Sequence, residues 1–307
     1  MSRTIAYVMP LPPGAHPGMD AVAHGIAAGL APAGAELRIL VADLREDFRA
    51  AQARAVQEAV AAGVAGIVVF VLDEQHPAEA VAAARAAGIP VVTVHKPAYE
   101  VTASVVVPNF YHGVWLTQFL ARHLAPRPRV ALVGGPHILD DEELVAGLLD
   151  GGRRAGFDWL NDPLLPEYRN ADDVKGGATA LARRFFDRFP DMDALVVFND
   201  ETLHDFLPEL AARGVSGRLP VVSRNGSPFA VEAVRRGESL ATYDYGLPEM
   251  GRAAGALLAR LLDGATVPVD GLVCPTPGTL IHAGNAAGYQ PWQLRAEPLP
   301  LRIGLEP

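Results

Sequence analysis

The sequence predicts an α/β protein built as two lobes, each with a mostly parallel sheet covered by helices. Strand-like runs alternate with helix-length patterns over almost the whole chain. The apolar runs IVVF at 67–70 and VVTV at 91–94 lack polar alternation, as strands do when both faces are covered. At 307 residues the chain is near the limit of one hydrophobic core, so a division into two is expected.

In the first series, Thr4 to Met9 leads into a helix near Gly18 to Leu30, and Glu36 to Val41 into one near Phe48 to Ala61. Gly66 to Val71 leads into Pro77 to Ala86, with proline suited to a first turn because its missing N–H costs nothing there. VVTV and SVVV close this series. The second series runs through a helix near Tyr111 to Leu124, a strand at 129–134, and helices near Asp141 to Arg154 and Asp173 to Phe189. It continues with the strand ALVVFN at 194–199, a helix near Glu201 to Arg213, the strand PVVS and a helix near Pro228 to Arg236. A unit of alanine-rich helix, glycine and apolar strand recurs in AVAAGVAGIVVF, AAARAAGIPVVTV and ELAARGVSGRLPVVS, which suggests topological repetition but no solenoid. The proline-interrupted tail from Thr276 reads as a strap over one lobe.

Composition excludes several classes. Half the residues are hydrophobic and 20% are charged, which fits an ordered fold. The 35 acids outnumber the 26 lysines and arginines, and the net charge of -9 disfavours nucleic acid and anionic membranes as partners. A single cysteine, Cys274, excludes an internal disulfide and any multi-cysteine metal site. The N-terminal apolar run is too short for a signal-peptide core or a membrane span. A cytoplasmic location follows if Met1 is the native start, and a periplasmic or extracellular one if a signal peptide was removed.

Small-molecule sites in open parallel sheets lie beyond the carboxyl ends of the strands. Those positions carry His16, Asp73, the pair His95 and Lys96, His137, Asp140 and Asp141, Asn199 and Asp200, Arg224 and Asn225, and the segment Tyr243 to Tyr245. Each also has a plain structural explanation: Asp140, Asp141 and the pair Asp172 and Asp173 as helix caps, His16 as a packed histidine, Tyr245 as core. No serine elbow, phosphate loop, zinc-protease motif or dinucleotide fingerprint is present, so no catalytic residue, metal or cofactor is assigned.

Several motifs in order carry a resemblance over about Thr4 to Asn285: VVTVHKPAYEVTASVVVPNFYHG, ALVVFNDE, VVSRNGSPFAVEAVRRG and LATYDYGLPEMGRAAGALLARLLDG. Together they resemble the type I periplasmic binding proteins, especially the ribose-binding-like group related to the effector domain of lactose-repressor-family regulators. The resemblance implies two Rossmann-like lobes joined by three crossovers. The first lobe would span 1–108 and be completed by 246–270, the second would span 109–242, and 275–307 would form a C-terminal strand and strap. Hinge crossings would lie near 108–110, 242–246 and 270–274.

By that resemblance the family's ligand-reading aspartate and arginine fall on His95 and Lys96, its second-lobe asparagine on Asn199 and a carboxylate on Asn225. A sugar-reading glutamine falls on Tyr245, and first-loop aromatics fall near His16. Asp73, His137 and Asp141 are further candidates. The arginine that usually opens the second-lobe helix is replaced by Asp141, Glu142 and Glu143, which argues against ribose and leaves those acids for a positive group. The implied function is reversible binding of a sugar, polyol or modified sugar in an interlobe cleft with hinge closure, as the substrate-binding partner of an ABC transporter membrane component. A cytosolic sensor or partner-binding module without a DNA-binding domain, and an enzyme on the same fold, are the alternatives.

Overall fold

The computed structural model describes residues 3–267, 271–295 and 298–305. The chain divides into two compact units. Met1–Val107, Gly246–Pro277 and Trp292–Pro307 form the first; Pro108–Tyr245 and Gly278–Pro291 form the second.

The first unit contains β1 (Thr4–Met9), α1 (Pro17–Leu30), β2 (Glu36–Val41), α2 (Phe48–Ala61), β3 (Gly66–Phe70), α3 (Ala78–Ala86), β4 (Val91–Val94) and β5 (Ala103–Val105). The second contains α4 (Asn109–Ala121), β6 (Arg129–Val133), α5 (Leu139–Ala155), β7 (Asp158–Trp159), α6 (Thr179–Arg188), β8 (Ala194–Val197), α7 (Asp200–Ala212), β9 (Val221–Arg224), α8 (Pro228–Arg235) and β10 (Ala241–Asp244). The chain returns to the first unit with α9 (Leu247–Leu262) and β11 (Leu272–Val273), then adds β12 (Thr279–His282) and β13 (Arg302–Ile303).

The first sheet has the order β11-β5-β4-β3-β1-β2-β13 and is parallel throughout. The second has the order β12-β10-β9-β8-β6-β7, parallel except where β12 runs against β10. Every residue of β3, β4, β8 and β9 is buried, as expected of sheets covered on both faces. Core clusters include Val8, Val56, Val69 and Val81 in the first unit and Leu181, Phe185, Val197 and Phe206 in the second.

In the first unit α1 and α9 meet backbone to backbone. Gly25 and Gly29 on one face the Pro248 and Arg252 carbonyls of the other, and Gly251 and Gly255 face Val22 and Ile26 in return. A β-carbon at any of these four positions would overlap the opposing carbonyl oxygen, so the spacing of four on each helix sets their distance. Gly66, at the start of β3, gives the same clearance to Leu258 of α9.

Two expectations change. The tail is not a strap over one lobe: β12 extends the second sheet and β13 the first, each by pairing along an open edge. The helix expected from Asp173 begins only at Thr179, because Asp173 takes a left-handed turn (φ 51°) and Gly176 another (φ 92°), conformations that end helical geometry. Among the described residues no helix is long and apolar enough to cross a membrane.

The close helix approach makes a prediction. Gly251→Ala should destabilise the protein by about 1–3 kcal/mol through overpacking, measured by urea unfolding. Gly288→Ala, with open space around it, should stay within about 0.5 kcal/mol of wild type. Equal effects would show that α1 and α9 separate freely.

Candidate functional site

The carboxyl ends of β8, β9 and β10 and the start of α5 gather the buried polar groups of the second unit. Arg224 ends the buried strand VVSR and is only 2% exposed. Its guanidinium donates to Asn109 Oδ1 at 3.1 Å, Asp140 Oδ2 at 3.2 Å and Asp141 Oδ1 at 3.0 Å. It also lies over the Tyr245 ring, 4.6 Å from the centroid. Burial pulls the guanidinium's pKa down, but Tyr245, Asp140 and Asp141 together hold it above its ordinary value. Asn109 is fixed at both ends, since its amide nitrogen donates to Glu143 at 2.9 Å. Arg224 Nε is buried and makes no hydrogen bond within the described residues.

A second buried set surrounds the first turn of α7. Asn199 caps that helix by accepting from the Thr202 amide at 3.0 Å, while its side-chain nitrogen donates to Asp173. Asp200 Oδ1 accepts from the Ser223 hydroxyl at 2.5 Å and the Thr242 hydroxyl at 2.8 Å, and Oδ2 accepts from the Ser227 amide at 2.7 Å. One carboxyl group therefore ties α7 to β9, to the turn after it and to β10. Burial, then the neighbouring Glu201, push its pKa up to about 7 against those hydrogen bonds.

Asn225 donates from its amide nitrogen to Glu201 Oε2 at 2.8 Å, and its Oδ1 is buried without a donor among the described residues. Its backbone stands at φ 125°, in a region that costs a non-glycine residue about 1–3 kcal/mol. His95, immediately after β4 in the first unit, is likewise left-handed at φ 71°. Two of the sequence candidates thus directly follow strands in the backbone geometry that clusters at ligand sites.

The remaining candidates separate. His16 Nδ1 accepts from the Gly18 and Met19 amides at 3.0 and 3.3 Å, so it caps α1, and its neutral ring carries the proton on Nε2. Asp73 accepts from Arg49 and from the Gln75 amide, and pairs with His76. Burial would raise its pKa, but those three partners bring it down to about 2. His95 is buried with its ring edge-on to Phe70, centroids 5.0 Å apart, whereas Lys96 is exposed. Lys96 borders a surface depression of about 480 Å³ whose lining includes Arg85, Tyr99 and Glu100. His137 is exposed beside Glu142. Tyr245 is buried, with the Arg224 guanidinium stacked on its ring and His112 5.9 Å away.

Asp140 and Asp141 are not caps. They lie in the first turn of α5, behind an N-cap at Ile138, and both engage Arg224. Nor does Asp173 cap α6. The guanidinium missing from the start of α5 enters the site from β9 instead. Its sequence signal is one arginine closing the strand VVSR immediately before Asn225. Among the described residues no group of three histidine, cysteine, aspartate or glutamate side chains could hold a metal ion.

The sequence model of the periplasmic binding protein domain matches residues 5–266. No curated protein sequence matches significantly. Among solved structures, an ABC transporter solute binding protein from Mycobacterium smegmatis with bound glycerol is 21% identical, with a TM-score of 0.81 over 94% of this chain and 96% of its own. An ABC transporter periplasmic solute binding protein from Actinobacillus succinogenes with bound D-allose is 18% identical, with a TM-score of 0.81 over 94% of this chain and 100% of its own. The Caulobacter myo-inositol binding protein bound to myo-inositol is 18% identical, with a TM-score of 0.81 over 93% and 95%. At these identities the likeness carries the fold and not the ligand.

Two outcomes test the electrostatics. Arg224→Met should cost about 3–5 kcal/mol at pH 7, because it removes the guanidinium that two buried carboxylates engage, and the loss should shrink in acid, where that charge pairing is weaker. A loss independent of pH would mean that packing alone is involved. Asp200 has a folded pKa above its unfolded one, so its contribution is fully present below the unfolded value of 3.8 and is lost as pH rises through about 7. From about pH 5 to about pH 8 the melting temperature of wild type should therefore fall more steeply than that of Asp200→Asn. Parallel curves would show Asp200 ionised throughout.

Proposed function

We propose that this chain, which belongs to the periplasmic binding protein domain family, is a substrate-binding protein that takes up a small sugar, polyol or modified sugar reversibly and presents it to an ABC transporter membrane component. The observation that carries this reading is the buried polar floor of the second unit. There Arg224 is braced by Asp140, Asp141 and Tyr245, and Asn225 is held in a strained backbone conformation beside it. Arg224 Nε offers a donor and Asn225 Oδ1 an acceptor, the complementary pair that a polyhydroxylated ligand can satisfy.

In this reading Asn225 and Arg224 touch the ligand, Glu201 and Tyr245 hold them in place, Asn199 caps the helix that carries Glu201, and His95 is the first unit's reader. Glycerol, D-allose and myo-inositol in the structurally similar proteins are all polyhydroxylated, which supports the class without naming the member. The reading includes ligand-driven closure of the two units and no chemical turnover.

A thermal-shift screen of sugars and polyols, followed by calorimetry, tests it. A stabilising ligand should be recovered with unchanged mass and stereochemistry, and should reduce the radius of gyration in small-angle scattering. Asn225→Ala should weaken its binding by about 0.5–1.5 kcal/mol, the net worth of one hydrogen bond. Steady product formation in proportion to protein would overturn the binding role.

A further inference from the structure

Helix α4 is apolar on two sides, and only one of them is covered within the second unit. Its residues Asn109 to Ala121 include no aspartate, glutamate, lysine or arginine. The inner side, with Leu116 and Leu120, is buried, and Gly113 lies so near the backbone of α5 that a β-carbon there would overlap it. The outer side holds Phe110, Tyr111 and Trp115, exposed by 36, 57 and 37%. The other exposed large hydrophobic side chains among the described residues are leucines and one isoleucine outside this helix. A helix that is apolar all round is ordinarily buried. Its rings are already placed, with Trp115 5.9 Å from Tyr243 and 6.1 Å from Tyr111 between centroids, so covering them orders little that is loose.

The order of side chains along the outer side points to what covers it. Residues four apart line up on a helix, and two such rows reach the surface. One runs Phe110, Val114, Gln118, Arg122, and the other runs Tyr111, Trp115, Phe119, His123. Each begins with an aromatic ring and ends with a basic side chain just past the last turn. An identical helix running the opposite way would set Arg122 of one chain over the Phe110 and Tyr111 rings of the other, a cation on the negative face of an aromatic, and Trp115 against Phe119. The match repeats under a two-fold rotation, as contact between identical surfaces requires. The net charge of -9 makes copies repel in general, whereas these rows contain no acid.

We infer that the outer side of α4 is a homodimer interface, formed by antiparallel contact with the same helix of a second copy. Phe110, Tyr111 and Trp115 supply its apolar core, and Arg122 sets the direction of pairing.

Sedimentation equilibrium on the full chain tests this. The dimer fraction should rise with concentration between about 1 µM and about 1 mM, the span of weak association. Trp115→Glu should weaken the dimer at least about tenfold by putting a charge among the rings. Arg122→Glu should weaken it at least about threefold by removing the cation from the ring faces. Melting curves check that each variant folds, and Tyr111→Ser takes the place of Trp115→Glu if that one does not. In a Cys274→Ser background, Gln118→Cys at the middle of the outer side should cross-link copies with a bismaleimide, and Gln57→Cys, exposed on α2, should not. A chain that stays monomeric up to about 1 mM overturns the inference and leaves this face to a partner of another kind. A dimer that survives both folded variants, or links equally well through position 57, overturns it too.

Discussion

A guanidinium buried in the interior of a lobe is the constraint around which the second unit is arranged. Removing a charge of that size from water costs several kcal/mol unless partners replace the solvent. For Arg224 those partners come from three separate parts of the chain: Asn109 from α4, Asp140 and Asp141 from α5, and Tyr245 just beyond β10. Each must arrive in register for the charge to be tolerated, so the network specifies the placement of these elements as well as stabilising it. The two aspartates open α5, where the helix dipole favours them as well.

Asp200 does the corresponding work on the other side of β9. Its three hydrogen bonds hold the turn that gives Asn225 and Gly226 their positive φ angles, and position 226 must be glycine because a β-carbon there would overlap Asp244. The rigid carboxylate network thus maintains a strained turn whose side chain faces Glu201. As the ligand site proposed above, this turn would be organised before a ligand arrives, with little ordering entropy left to oppose binding.

The sequence made the architecture legible because its signals are local and repeated. The apolar strands and alanine-rich helices lie close to where periodicity sets them, and α2 spans Phe48–Ala61 as expected. The site was less legible because its decisive feature is a pairing between distant positions. Arg224 and Asp140 are 84 residues apart, and nothing in either local pattern says that one neutralises the other. Matching positions one by one also treated His95 and Lys96 as a unit, although neighbouring residues at a strand end point in different directions. The early start expected for α6 failed for another reason: helix-compatible spacing from Asp173 concealed Gly176 and Gly177, whose turn postpones the helix to Thr179.

The glycine-to-glycine seam between α1 and α9 has a bearing on how the chain acquires its fold. One half of the seam is made from residues near the N-terminus, and the other half emerges only after the whole of Pro108–Tyr245 has been synthesised. Until then α1 and the start of β3 expose the surface that α9 will cover. During translation the second unit, nearly continuous in sequence, can organise while the first is still waiting for its last helix. The first unit therefore closes late, over a sequence separation of more than two hundred residues, and its assembly bears a correspondingly large loop-closure cost.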